Sequence, residues 1–243
     1  MMVRCQPLYA TVISLALLSA CVEQTPGTQI SIELVGATEA EFTVESGESV
    51  DLEQAWVTVG GLELVACTSL SSSVAKWFRA LWPVGTAHAH IGDSPTRIGA
   101  PLVFDLLDKN TPIDFGTLSP PTGDYCSLDV WVIPADEDSR ALPEDARMET
   151  RTFLLTGTWK SPGTSESRDL RILGADSAIV NIGFDTPMTL DATTPQASIT
   201  LGFALPTWFE QISLETTSGV EQSRGVMENI PSSFELSVNL PEN

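Results

Sequence analysis

Apolar and polar residues alternate with a period of two along much of the chain, as expected of half-buried strands whose successive side chains point to opposite faces. Ile30, Ile32 and Leu34 share one face of a first strand. Ala55, Val57 and Val59 share a face of a later one, Gly60-Gly61 makes a turn or bulge, and Leu62, Leu64 and Ala66 resume the alternation into Cys67. Leu128, Val130 and Val132 alternate with Ser127, Asp129 and Trp131; Ile199, Leu201 and Phe203 do so within 197–205; Phe234, Leu236, Val238 and Leu240 form a last strand. Ser119-Pro120-Pro121-Thr122-Gly123 and Ser161-Pro162-Gly163 lie between such runs and read as turns. The pattern predicts an all-β protein, an antiparallel β-sandwich of residues 29–243.

One stretch departs from it. Val74, Trp77, Phe78, Leu81 and Trp82 recur at intervals of three and four behind Ser71-Ser72-Ser73 and before Pro83. That spacing predicts a short amphipathic helix over 71–82 in an inter-strand connection, either plugging an open end of the sandwich or offering an interaction surface. Segment 135–147, with Asp136, Glu137, Asp138, Glu144 and Asp145, reads as an acidic loop. Clustered carboxylates suit calcium, but the spacing matches no EF-hand loop, and a solvated loop is the simpler account.

The amino terminus follows a different logic. Arg4 is the sole charge before an apolar stretch from Leu8 to Leu18 that ends in small residues, which is the order of a secretory signal. About eleven apolar residues fall short of the roughly 20 that a spanning helix needs. Leu18-Ser19-Ala20-Cys21 resembles the bacterial lipobox, in which the cysteine thiol is acylated before the signal is removed. Residues 1–20 are then a lipoprotein signal peptide and 21–28 a lipidated tether. A diacylglycerol on Cys21 with an N-acyl chain such as palmitate supplies the two or more chains that stable anchoring requires. Val22, not an aspartate, follows the cysteine, so the resemblance points to the outer membrane more than the inner.

Cleavage would remove Arg4 and no acid, taking the formal net charge from −20 to −21. Nucleic acid is a poor partner for such a chain, because binding it depends on cations that neutralise phosphates. Of four cysteines, Cys5 leaves with the signal and Cys21 carries lipid. Cys67 and Cys126 remain and, in an oxidising compartment, are expected to pair, the alternatives being buried thiols or metal thiolates. A bridge across a loop of about 60 residues would contribute on the order of 3–4 kcal/mol by restricting the unfolded chain.

The two histidines of the chain stand together as Ala87-His88-Ala89-His90. On a strand they would project to one face, and two imidazoles flanked by small residues begin a copper or zinc site. Zinc takes four ligands, whereas Cu(I) accepts two or three, and a third could come from Met148, Met188, Met227, a carboxylate or a reduced cysteine. The competing account is an exposed strand or loop with no ligand. The sequence holds no Gly-x-Ser-x-Gly elbow, His-Glu-x-x-His, phosphate loop or dinucleotide fingerprint. No catalytic residue is therefore assigned, and no enzyme is expected.

Val50 to Cys67, then Val103-Phe104-Asp105-Leu106-Leu107, Gly116-Thr117-Leu118 and Pro121-Thr122-Gly123-Asp124-Tyr125-Cys126 form a series that resembles exported β-sandwich proteins. It is similar to the MbnP-like family of periplasmic, copper-linked proteins and to other transthyretin-like lipoprotein domains, over roughly residues 50–134. The resemblance implies a transthyretin-like sandwich. Related surface proteins bind Cu(I) through two histidines and an oxidised tryptophan, which singles out His88 and His90 together with Trp77 or Trp82. A Trp-rich central motif and a carboxy-terminal cysteine, also features of that family, are not found here. The function expected is a non-enzymatic lipoprotein of the cell envelope that binds a protein or an envelope polymer through its sandwich loops and the 71–83 segment. The alternative is a copper-binding protein using His88 and His90.

Overall fold

The computed structural model describes residues 27–37, 39–67, 93–108, 112–144 and 147–241. They form a β-sandwich. One sheet has four strands in the order β12 (Phe234–Asn239), β11 (Gln196–Phe203), β1 (Gln29–Leu34) and β6 (Ile113–Leu118). Its pairs are antiparallel except β1 with β11, which run parallel. The second, eight-stranded sheet is organised by β3 (Ser49–Ala66), the longest strand. β7 (Gly123–Val132) and β8 (Phe153–Lys160) pair with it, β10 (Ala178–Leu190) lies beyond β7, and β9 (Arg168–Gly174) lies beyond β8. The short β2 (Glu41–Thr43), β4 (Arg97–Ile98) and β5 (Leu102–Asp105) also pair with β3.

The alternation read from the sequence places the core. Ile30, Ile32 and Leu34 of β1 and Ile199, Leu201 and Phe203 of β11 pack against Val57, Val59, Leu62, Leu64, Leu128, Val130 and Val132 in one cluster. Gly60-Gly61 is a bulge inside a continuous strand, not a turn: Val59 faces Val132 of β7 and Gly61 faces Trp131. A second irregularity lies opposite β8, where Leu52 faces Gly157 and Gln54 faces Thr156. Each extra residue switches which positions point inward. The buried set of β3 accordingly runs Val50 and Leu52, then Ala55, Val57 and Val59, then Leu62 and Leu64.

Val57 faces Phe104 of β5 across one edge of β3 and Phe153 of β8 across the other, while Val59 faces Leu102 of β5 and Val132 of β7. β7 and β8 therefore follow one another along the same edge. The handover is at Thr58, which is fully buried. Its N–H donates to the Thr152 carbonyl at 2.8 Å, its carbonyl accepts from Ile133 N–H at 3.4 Å, and its hydroxyl donates to the Arg151 carbonyl at 3.1 Å. Between β7 and β8 the 133–152 connection folds over the outer side of this region and buries Met148 and Ala135 against Val103 and Leu154, with Trp56, Leu142 and Leu173 partly buried beside them.

The helix expected over 71–82 lies outside the described residues. Among the described residues the α-helix is α1 (Gly219–Asn229), in the connection between β11 and β12. Ser218 caps it: its hydroxyl oxygen accepts from Glu221 N–H, while the Glu221 carboxylate reaches back to Ser218 N–H. The same connection closes the end of the sandwich at which β11 finishes. Trp208 there is 0 % exposed, packs edge-on to Phe153 and Phe203, and donates its indole N–H to Ser233 Oγ at 2.7 Å. Glu48, only 2 % exposed, ties this closure to the turn between β2 and β3. Its carboxylate accepts from the Ser46 hydroxyl, and from the Ser213 hydroxyl and Glu215 N–H at 3.3 Å each.

Cys67 and Cys126 are joined as a disulfide, with Cα atoms 4.9 Å apart. Reducing it, or replacing both cysteines with alanine, is expected to lower stability by up to about 4 kcal/mol, read from the urea midpoint. An unchanged midpoint would show that the bridge contributes nothing. The irregularity opposite β8 gives another prediction. A Cβ on Gly157 would lie 2.1 Å from the Asp51 carbonyl oxygen and 2.8 Å from Leu52 Cα, both backbone atoms, whereas one on Gly183 meets nothing within 4 Å. Gly157→Ala should cost about 1–3 kcal/mol, and Gly183→Ala should leave the midpoint nearly where it was.

Candidate functional site

His88 and His90, the tryptophans Trp77 and Trp82, and Cys21 lie outside the described residues. What the structure places is the frame on either side of the histidines. β3 ends at Ala66, and Cys67 is held by its disulfide and by its N–H, which donates to the Asp124 carbonyl at 2.8 Å. The described chain resumes at Asp93, whose Oδ1 accepts from Gly99 N–H at 2.8 Å. A tight turn follows in which Ser94 and Arg97 exchange backbone hydrogen bonds at 3.0 Å, and Pro95 accepts from Ser119 N–H at 3.0 Å.

β4 then lies along β3 with Arg97 opposite Glu63. The guanidinium donates through Nε and Nη2 to one oxygen of Glu63, at 3.1 and 2.7 Å, and its carbon sits 5.6 Å from the centre of the Trp131 ring. Charge-assisted hydrogen bonds and the pull of an aromatic face on a cation act together here, fixing β4 to the sheet. On the same outer face, Asn181 donates to Ser127 Oγ at 2.8 Å and to Asp129 Oδ1 at 2.6 Å. Ile179, which faces Trp131 across the β7–β10 pair, is 66 % exposed.

The three methionines considered as further ligands are core residues. Met148 is 0 % exposed, Met188 2 % and Met227 8 %. Among the described residues no group of three or more His, Cys, Asp or Glu is placed to hold a metal ion. The acidic 135–147 segment is part of the connection between β7 and β8, with Asp145 outside the described residues. Asp136, Glu137 and Asp138 are exposed, and Asp136 accepts from the Ser139 hydroxyl at 2.9 Å, closing a turn.

The motif residues between Val103 and Cys126 have structural duties. Asp105 ends β5 by accepting from Leu107 N–H at 2.9 Å. Burial raises its pKa above the ordinary aspartate range; that hydrogen bond pulls the other way, and the charge of Asp108 adds to the rise. Tyr125 donates its hydroxyl to the Pro121 carbonyl at 2.8 Å, bracing the turn before β7, and burial raises its pKa too. A shallow cavity of about 200 Å³ lies at the end closed by Trp208, walled by Phe203, Leu205 and Pro206 and flanked by Glu39 and Glu235. Two carboxylates beside an apolar wall would favour a small cation over an anion. No local sequence signal marks this cavity, since its walls come from stretches distant in the chain.

Among the described residues no helix is long and apolar enough to cross a membrane. No family model matches the chain, and no curated protein matches it. Among solved structures the chain is similar to MbnP from Methylosinus trichosporium, at 13% identity over 75% of this chain and 76% of that one, with a TM-score of 0.31.

Proposed function

We propose that the protein is a lipid-anchored β-sandwich of the bacterial cell envelope, without enzymatic activity, that binds a protein partner or an envelope polymer. The observation that carries this reading is the amino-terminal order: Arg4, an apolar stretch from Leu8 to Leu18, then Leu18-Ser19-Ala20-Cys21. The Cys67–Cys126 disulfide supports it, because such bridges persist in oxidising compartments. The tether runs from Cys21 to Thr28, and the outer membrane is the favoured location. Metabolic labelling with a fatty-acid probe tests the anchor. The wild-type protein takes up the label and Cys21→Ser does not; wild-type protein recovered unlabelled and soluble would end the reading.

A second reading is carried by the histidine pair. His88 and His90, the two histidines of the chain, stand at i and i+2, a spacing that on an extended chain presents both imidazoles to one side. Cu(I) tolerates the low coordination such a pair offers, whereas zinc would be short of ligands. Cu(I) titration of the apo-protein against a competing chelator should show binding. His88→Ala or His90→Ala should each weaken it at least ~10-fold, about 1.4 kcal/mol. Binding that is undetectable at micromolar protein, or unchanged in the double alanine variant, would remove the histidines as ligands.

A further inference from the structure

The path by which the chain enters the sandwich determines which end is near its amino terminus. The Thr28 hydroxyl donates to the Pro120 carbonyl, and Gln29 N–H donates to the Pro195 carbonyl at 2.7 Å. Pro120 belongs to the crossing from β6 to β7 and Pro195 to the crossing from β10 to β11, so two of the four links between the sheets meet the chain where it enters. Strand register agrees: Ile30 faces Leu118, Gln29 faces Gln196, Leu190 faces Gly123 and Ala66 faces Tyr125. One end of the sandwich therefore gathers the entry point, the 119–122 and 191–195 loops and the Cys67–Cys126 disulfide. At the other end Phe203 faces Phe234, and farther out along β3 Ser49 faces Lys160, next to the turn at 161–167.

We infer that the sandwich stands on the membrane with its 119–122 and 191–195 loops facing the lipid surface, an inference that rests on the proposed anchor at Cys21. Two arguments carry it. Residues 22–27 can span at most about 25 Å fully extended, at roughly 3.3–3.6 Å per residue. β3, with 18 residues, runs about 55–60 Å at roughly 3.3 Å per residue. The tether is therefore less than half as long as the strand, and the far end of β3 lies beyond its reach while the entry end does not.

The second argument is electrostatic. The carboxylates at the entry end, Asp93, Asp124 and Asp191, are each held by hydrogen bonds. Asp191 accepts from Thr193 N–H at 2.7 Å, from the Thr193 hydroxyl at 2.6 Å and from Thr194 N–H at 2.8 Å, and Asp124 accepts from the Thr189 hydroxyl at 2.7 Å. Around them the loops offer Ser119, Pro120, Pro121, Thr122, Ala192 and Pro195, none charged. Away from this end the surface carries Glu45, Asp136, Glu137, Asp138, Glu210 and Glu215, all exposed. Anionic headgroups repel carboxylates over a screening length of roughly 10 Å, which favours the end poorer in them downward.

The test uses the full-length lipidated protein in vesicles of phosphatidylethanolamine and phosphatidylglycerol that carry an energy acceptor on their headgroups. A donor dye is attached at Thr122→Cys or Ala192→Cys in the entry loops, or at Ser165→Cys in the far turn, all exposed positions. Transfer from positions 122 and 192 should exceed that from 165 several-fold. Equal transfer from the three positions, or stronger transfer from 165, in protein that floats with the vesicles overturns the orientation. The same labels on Cys21→Ser protein should give no transfer. Wild-type protein that fails to float marks instead the failure of the anchor, which takes the orientation down with it but is read separately.

Discussion

Everything in the larger sheet depends on one strand keeping its apolar side chains inward over 18 residues. A regular strand of that length accumulates twist and drifts out of register with its neighbours. β3 resets itself twice, by an extra residue between Leu52 and Gln54 and another between Val59 and Gly61. With no reset Ala55, Val57 and Val59 would face outward, and a single reset would expose either Val50 and Leu52 or Leu62 and Leu64, because a one-residue slip exchanges the two faces. Both resets use glycine where backbones converge: Gly157 opposite the first, and Gly61 in the second, where a Cβ would lie 2.7 Å from the Ile98 carbonyl oxygen.

The handover at Thr58 follows from the same constraint. Two partner strands that share one edge must stop and start at a common residue, and the backbone groups there must still find partners. Thr58 supplies both backbone groups and its hydroxyl to the ends of the 133–152 connection. That connection covers Val103 and Leu154, so the middle of the sheet is buried on both faces while its margins are not. The sheet is therefore amphipathic near β10 and apolar throughout near β5 and β8.

This difference decides what was legible in the sequence. β1, β7, β11 and β12 bury one face against the core, and their period-two patterns stand out. β8 begins Phe153-Leu154-Leu155, all three buried, since the 133–152 connection takes up the face that would otherwise be polar; its alternation is lost and periodicity cannot find it. β10 is different: Ala178, Val180, Ile182, Phe184, Met188 and Leu190 keep a period of two and pack on the core, but Ile179 on the outer face and Thr186 at an inward position blur the pattern. α1 has a capping box at Ser218 and Glu221 but only Val226 and Met227 buried, together with Gly219 and Gly225, which weaken helical propensity. The disulfide was legible because elimination left two cysteines. The glutamate-flanked cavity was not, because only the tertiary fold brings Glu39 and Glu235 together.

Sheet edges explain how an acidic chain uses its few cations. An open edge presents unpaired backbone groups and invites pairing with another chain. At β6, Arg140 donates to the Phe115 carbonyl at 2.7 Å and lies over the Phe115 ring at 5.3 Å, covering the edge with a charge. Arg97 does the same service for the two-residue β4 through Glu63 and Trp131. At β9, Arg168 lies 5.1 Å from the Trp159 ring, and Ser223 of α1 donates to the Leu173 carbonyl at 2.7 Å, so the helix shields that side. β10 carries Asp185 and Pro187 at its register break, and Pro187 has no N–H to offer a further strand. The Arg168–Glu215 contact at 3.8 Å is half-exposed and adds little by itself. The arginine heads are thus drawn against rings and carbonyls at the margins of the sheets, where each stem covers apolar surface and each charge meets an acceptor. With these cations held in the fold, what the open surface presents is chiefly carboxylate, and the entry end stands out from it only as the end with fewer of these groups.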